Sequence, residues 1–279
     1  MQPRSAGLLR DPTPSGRFRL DGLTRQEKSA LEDDLQLVID VQRGLLPQRD
    51  LAYRGWRISY YYEPAGLVSG DYCDVVDMGA AGVYFMVGDV CGKGVAASIV
   101  TAHLHGMFRT MISMELPLHR MLERASRALC EGSLPYATLV CGRARSNGVV
   151  EFCNAGHPFP LVVRDGSVTA LEESGLPAGL IAAPEFASAE VRLRHGQTLV
   201  LYSDGVSEAR DVYGRDYGVP RLRKVVSGQS SGHPSALVAA CRDDLAAFRR
   251  GAEKTDDLTI LALSRDSFNS MADAPCRPC

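Results

Sequence analysis

Acidic side chains recur in this sequence where apolar runs stop. VYFMVGDV carries Asp89 near its end and TLVLYSDG carries Asp204. KTDDLTILAL places Asp256 and Asp257 just ahead of a third run, and LVSGDYCD sets Asp71 and Asp74 behind a Ser-Gly turn. One aspartate at a strand end is usually a turn former, but four such places suggest a shared purpose. If they converged, two carboxylates at about 4 Å would repel by roughly 4 kcal/mol at an effective dielectric of about 20. Protonation or arginine could offset that repulsion, although no arginine stands at a fixed spacing beside the four stretches. Hard divalent cations fit the donors better, because they take carboxylate, carbonyl and water oxygens together. Two such ions sharing a carboxylate would hold an activated water and polarise a phosphoryl oxygen at once.

The glycines around Lys93 belong to the same corner. Without a Cβ, Gly92 and Gly94 permit turn angles closed to other residues, so the backbone can pass near an ion and a substrate before a helix starts at about Val95. Their N–H groups and that helix N-terminus favour a phosphate. Lys93 is either a contact to phosphate or to an acidic partner, or a solvated lysine.

These residues need elements to position them. Short apolar runs rich in Val, Tyr, Thr and Leu read as strands: WRISYYYE, GVYFMVGD, YATLVCGRA, GVVEFCNA, PLVVRD, SAEVRLR, TLVLYSD and LTILALS. Turns such as Ser146-Asn147-Gly148 and Arg164-Asp165-Gly166 join neighbours as in antiparallel meanders. Helical patterns cover 94–114, 117–131 and 233–249, the first apolar almost all round and therefore expected to be largely buried. Strands do not alternate strictly with helices, which predicts an α+β layered domain and not a doubly wound parallel sheet.

Ahead of that domain, Thr24 and Glu27 form a capping box and a helix runs to Pro47. Leu31, Leu35, Val38, Gln42 and Leu45 are spaced 4, 3, 4, 3 and draw one seam along it. The seam suits either a homodimer through helix 25–46 or the main domain. The predicted organisation is a disordered arm at 1–22, a linker or dimerisation helix at 23–48, one large domain at 49–265 and a disordered tail at 266–279.

A formal charge of -2 on 279 residues gives no general attraction to nucleic acid or anionic membrane. The longest uncharged apolar stretch, MGAAGVYFMVG, is far short of the roughly 20 residues a membrane span needs. No apolar core of a signal peptide is visible in the first thirty residues, so a cytoplasmic setting is expected. Cys130, Cys141, Cys153 and Cys241 lie inside apolar runs and read as free thiols of a reducing compartment. Cys276 and Cys279 form a CxxC in a tail with no strand or helix pattern to hold a site.

The stretches GLVSGDYCDVVDM, VGDVCGKGVAASI, YATLVCGRA, FCNAGHPFPLVV, LVLYSDGVSEARD with YG following, and KTDDLTILAL occur in that order over about residues 50 to 264. Together they resemble the motifs of the PPM-type, or protein phosphatase 2C-like, serine phosphatases. Within that family they are similar to the bacterial RsbU/SpoIIE branch, which acts in partner-switching control of sigma factors. The resemblance implies a sandwich of two antiparallel sheets flanked by helices (α-β-β-α), with two divalent cations, Mn or Mg, at one end. It implies that Asp89 bridges both ions, that the Val90 carbonyl binds one, that Asp204 and Asp256 complete the second site, and that Asp71 ligates directly or through water. Asp74 and Asp257 rank below them, and Gly92, Lys93 and Gly94 would lie at the substrate. A metal-bridging hydroxide would then attack the phosphorus of a phosphoserine or phosphothreonine on a regulatory protein of the anti-sigma factor antagonist type. The alternative is a pseudophosphatase that only binds a partner; its signature, a lost bridging carboxylate, is not seen, since Asp89, Asp204 and Asp256 are all present. A third reading is a structural domain in which the aspartates cap turns.

Two departures stand out. Cys91 takes the place where the family's eukaryotic members have a histidine, and Ser69 replaces the leading glycine of the branch's usual G-G-D. His157 in NAGHP reads as a structural loop histidine. His103 and His105, two apart on a helix, point to different faces. No G-x-S-x-G elbow accompanies Ser98, Ser203 or Ser207, and there is no P-loop. Glu208 is expected in the first turn of a short helix after Asp204-Gly205.

Overall fold

The computed structural model describes residues 23–229 and 233–266. The arm expected at 1–22 and the Cys276/Cys279 tail lie outside the described residues.

The run VYFMV has no polar face because both faces of its strand are covered. In β4 (Val83–Val90), Val83, Phe85 and Val87 enter the interior between two sheets, while Tyr84 and Met86 lie under helices, the alternation that a period of two demands. Two other strands do the same. In β10 (Thr198–Tyr202) and β11 (Leu258–Arg265), Leu199, Leu201, Leu261 and Leu263 face the sheet-to-sheet interior, and Val200, Tyr202, Ile260 and Ala262 pack under other helices.

With β1 (Leu51–Tyr53), β2 (Trp56–Glu63), β7 (Leu161–Arg164) and β8 (Ser167–Ala170), these last two strands build a six-stranded sheet of order β1-β2-β11-β10-β7-β8. The other sheet has β3 (Asp71–Asp77), β4, β5 (Ala137–Ala144), β6 (Val149–Ala155) and β9 (Ser188–Arg192), in that order. Every pairing is antiparallel. Helices α2 (Val95–Ser113) and α3 (Leu118–Glu131) cover the five-stranded sheet. Helices α5 (Val219–Ser227) and α6 (Pro234–Arg249) cover the six-stranded one, and α4 (Asp204–Ser207) is a single turn. The expected α-β-β-α sandwich is therefore present.

Some expectations need correction. Asp71 and Asp74 lie in strand β3, not simply behind a turn. Helix α2 is covered along one face only: Leu104, Phe108 and Ile112 are buried, but Ile99 is 62% exposed, as is its C-cap Met114 at 60%. Glu208 is the C-cap of α4, not part of its first turn.

The chain divides into two compact units, 1–41 and 42–279. Helix α1 (Arg25–Leu45) starts in the first. Its capping box is made: Thr24 N and Oγ1 donate to Glu27 Oε2 at 2.8 and 2.9 Å, and Glu27 N donates to Thr24 Oγ1 at 3.3 Å. Along it Leu31, Leu35 and Val38 are partly buried, whereas Leu37 and Val41 are exposed. Among the described residues, no helix is long and apolar enough to cross a membrane.

Candidate metal centre

Strand ends from both sheets deliver the carboxylates. Asp71 opens β3 and stands opposite Asp89 of β4, which in turn stands opposite Thr138 of β5. From the other sheet, Asp204 follows β10 and Asp256 precedes β11. A direct link closes the sandwich here, for Thr259 Oγ1 of β11 donates to Asp71 Oδ2 at 2.5 Å. Ser203 steadies that threonine, its backbone N–H donating to the Thr259 carbonyl and its hydroxyl oxygen accepting the Thr259 N–H, both 3.0 Å. Next to Asp204 only glycine fits: a Cβ on Gly205 would stand 2.0 Å from the Asp257 carbonyl oxygen.

Electrostatics shows that these groups sense one another. Asp89 is pushed up to about 7, by burial first and then by the Asp204, Asp256 and Asp257 carboxylates. Full burial lifts Asp71 well above the carboxylate range, against the Thr259 hydrogen bond and with help from Asp89. Burial and then Asp256 raise Asp204. Joint ionisation of the cluster near neutral pH therefore calls for a compensating cation. All its donors are oxygens, the set that hard divalent ions prefer. Val90, fully buried at the end of β4, adds a carbonyl at the same corner: its oxygen lies 3.1 Å from where a Cβ on Gly70 would be. The residues thus fit divalent ions in kind. Among the described residues, no three His, Cys, Asp or Glu side chains are gathered into a ready cage. Asp71 is held by Thr259, and Asp256 by Lys93, whose Nζ lies 2.9 Å from Asp256 Oδ2 and also donates to the Thr255 carbonyl.

The two lower-ranked aspartates have other duties. Asp257 accepts the Ala65 and Gly70 N–H groups at 2.7 Å each, pinning the loop ahead of Asp71. Asp74, fully buried, takes both Arg109 Nε at 2.7 Å and Nη2 at 2.6 Å and so ties β3 to α2. Gly92 and Gly94 have φ of 109° and 72°. A Cβ on either would meet no other part of the chain within 4 Å, so the backbone conformation itself calls for glycine there. Ser69 has no left-handed φ to pay for. Its hydroxyl accepts the Asp71 N–H at 3.0 Å, so the change from glycine leaves the turn intact.

Two supporting residues escaped the sequence reading as such. Gln42, in the last turn of α1, donates to the Ser69 carbonyl at 2.7 Å and accepts the Ser69 N–H at 2.9 Å. Its signal was a polar residue within an apolar seam. Thr259 had the D-D-x-T spacing in KTDDLT as its signal. His157 is the loop histidine expected: Asn154 brackets its backbone at 2.8 and 3.0 Å, and its Nδ1 pairs with Thr138 Oγ1 at 2.9 Å.

The family model for stage II sporulation protein E, SpoIIE, matches residues 79–266. The chain belongs to the SpoIIE family. Among proteins similar to this SpoIIE family member, Protein IcfG of Synechocystis sp. (strain ATCC 27184 / PCC 6803 / Kazusa) is 25% identical over 277 residues, covering 88% of this chain and 42% of IcfG. Phosphoserine phosphatase RsbP of Bacillus subtilis (strain 168) is 25% identical over 197 residues, covering 66% of this chain and 47% of RsbP. The chain thus spans less than half the length of these two relatives. In fold it is similar to the SiaA-PP2C domain of Pseudomonas aeruginosa, with a TM-score of 0.74 at 21% identity over 87% of this chain and 100% of that domain. The family is one of protein phosphatases, as the six motifs led us to expect.

Proposed function

We propose that this chain is a metal-dependent phosphatase acting on phosphoserine or phosphothreonine of a regulatory protein, of the anti-sigma factor antagonist type. The observation that carries the reading is the convergence of Asp89, Asp204 and Asp256 from two sheets at one corner, where the charges of the latter two raise Asp89. Asp89 and the Val90 carbonyl, Asp204 with Asp256, and Asp71 would hold two divalent cations, Mn or Mg. When bound, such ions supply Lewis-acid and water-activating chemistry for hydrolysis of a phosphate monoester. Gly92, Lys93 and Gly94 lead into the N-terminus of α2, whose free N–H groups suit a phosphate. Thr259 and Asp257 keep Asp71 and its loop in place. In this reading residues 49–265 are the catalytic domain and α1 is a linker through which a partner, or a second copy of the chain, acts.

Hydrolysis of p-nitrophenyl phosphate tests the reading. Turnover should appear with Mn2+, vanish with EDTA, and fall at least about a hundredfold in Asp89→Asn, a loss of the order expected when a charge-stabilising group is removed. No turnover in the intact chain would leave the partner-binding reading standing instead, and turnover indifferent to EDTA would overturn the metal centre.

A further inference from the structure

We infer that Lys93 and a divalent cation compete for Asp256, so that the lysine serves as a tethered cation which metal loading must displace. This rests on reading the carboxylate cluster as a metal centre. Lys93 Nζ stands 2.9 Å from Asp256 Oδ2 and also donates to the Thr255 carbonyl. Carboxylate and carbonyl oxygens are the donors a hard cation uses, so the ammonium occupies lone pairs that an ion on Asp256 would need. Its positive charge also opposes a second cation among Asp89, Asp204 and Asp256.

The same turn is built to release it. Gly92 and Gly94 flank the lysine with left-handed φ values and open space around them, and the side chains of Lys93 and Asp256 are 59% and 39% exposed. An ion pair this wet holds weakly. Once displaced, the ammonium remains tethered ahead of α2, where a phosphate is favoured. A phosphorylated substrate that draws Lys93 away would therefore strengthen ion binding, and by linkage the ion would strengthen substrate binding.

Mn2+ affinity of the metal-stripped full chain, measured by calorimetry, tests this without any turnover. Lys93→Met should bind Mn2+ about five- to tenfold more tightly than the intact chain, and Lys93→Arg, which keeps the charge, should stay within about twofold of it. Brief labelling with acetic anhydride gives a second readout, because the chain has only four lysines, Lys28, Lys93, Lys224 and Lys254. Mg2+ should raise labelling at Lys93 relative to Lys254. Unchanged or weaker Mn2+ binding in Lys93→Met, tight binding in Lys93→Arg, or labelling indifferent to Mg2+ would overturn the competition alone. No Mn2+ binding by the intact chain would overturn it together with the metal-centre reading.

Discussion

Asp74 and Asp89 sit on neighbouring strands and meet opposite fates. Asp74 has no exposed surface but is matched by the two-pronged Arg109 guanidinium, whereas the neighbours of Asp89 are mainly other carboxylates. A buried charge is costly when its partner alone is removed. Arg109→Ala should therefore destabilise the fold by about 3 to 5 kcal/mol in urea titrations, and Asp74→Asn by less, since the freed arginine can reach water. His157 supplies one part of the pH dependence of stability. Burial lowers it to about 3 from an ordinary 6.5, so the unfolded chain takes up its proton first as the solution is acidified. The His157 contribution to stability should fall as pH drops from about 6.5 towards 3, by on the order of 4 kcal/mol if fully expressed, against an opposite contribution from Asp71, Asp89 and Asp204, whose raised values make the folded chain take up their protons first. His157→Gln should remove the histidine's contribution, so that the variant gains stability relative to the intact chain as thermal melts are followed down the same range. The aspartates were legible because a charged residue at the end of an apolar run is conspicuous. The bond made by Thr259 was not, since D-D-x-T marks the residue but a hydroxyl inside a β-strand is commonplace and its partner Asp71 lies 188 positions away.

Among the elements, the end of α1 supports the loop ahead of Asp71 through Gln42. Gln42 satisfies both backbone groups of Ser69, a residue with no exposed surface, two positions ahead of Asp71. Gln42→Ala should leave those groups unpaired, cost about 1 to 3 kcal/mol, and weaken Mn2+ binding several-fold with the helical circular dichroism nearly unchanged. Strands such as Trp56–Glu63 and Leu258–Arg265 were plain in the sequence because their apolar content survives burial on both faces. Strand β3 was obscured by the three acids of DYCDVVD, each of which tertiary partners accommodate: Thr259 for Asp71, Arg109 for Asp74 and Arg54 for Asp77. The four-residue β8 and the nine-residue α5, with proline in its first turn, offered too short a period to read. Nor does an apolar helix announce which side a sheet will cover, and α2 leaves Ile99 and Met114 outside.

At the scale of the molecule, each sheet supplies part of the cluster and the Thr259–Asp71 bond spans the gap. If, as proposed, residues of both sheets hold Mn2+, the ion would bind only the folded chain, so Mn2+ at a hundred times its dissociation constant should add about 2.7 kcal/mol of stability. Scanning calorimetry should show the transition rise with Mn2+, return with EDTA, and fail to rise in Asp89→Asn or Asp204→Asn. The order of strands has a further consequence during synthesis. β11 lies in the middle of its sheet, between β2 from the start of the domain and β10, although it leaves the ribosome after both. Until residues 256 to 265 emerge, a nascent chain has an open slot in that layer and lacks one acid of the cluster. A prematurely terminated product can therefore neither close its sheet nor complete the carboxylate cluster.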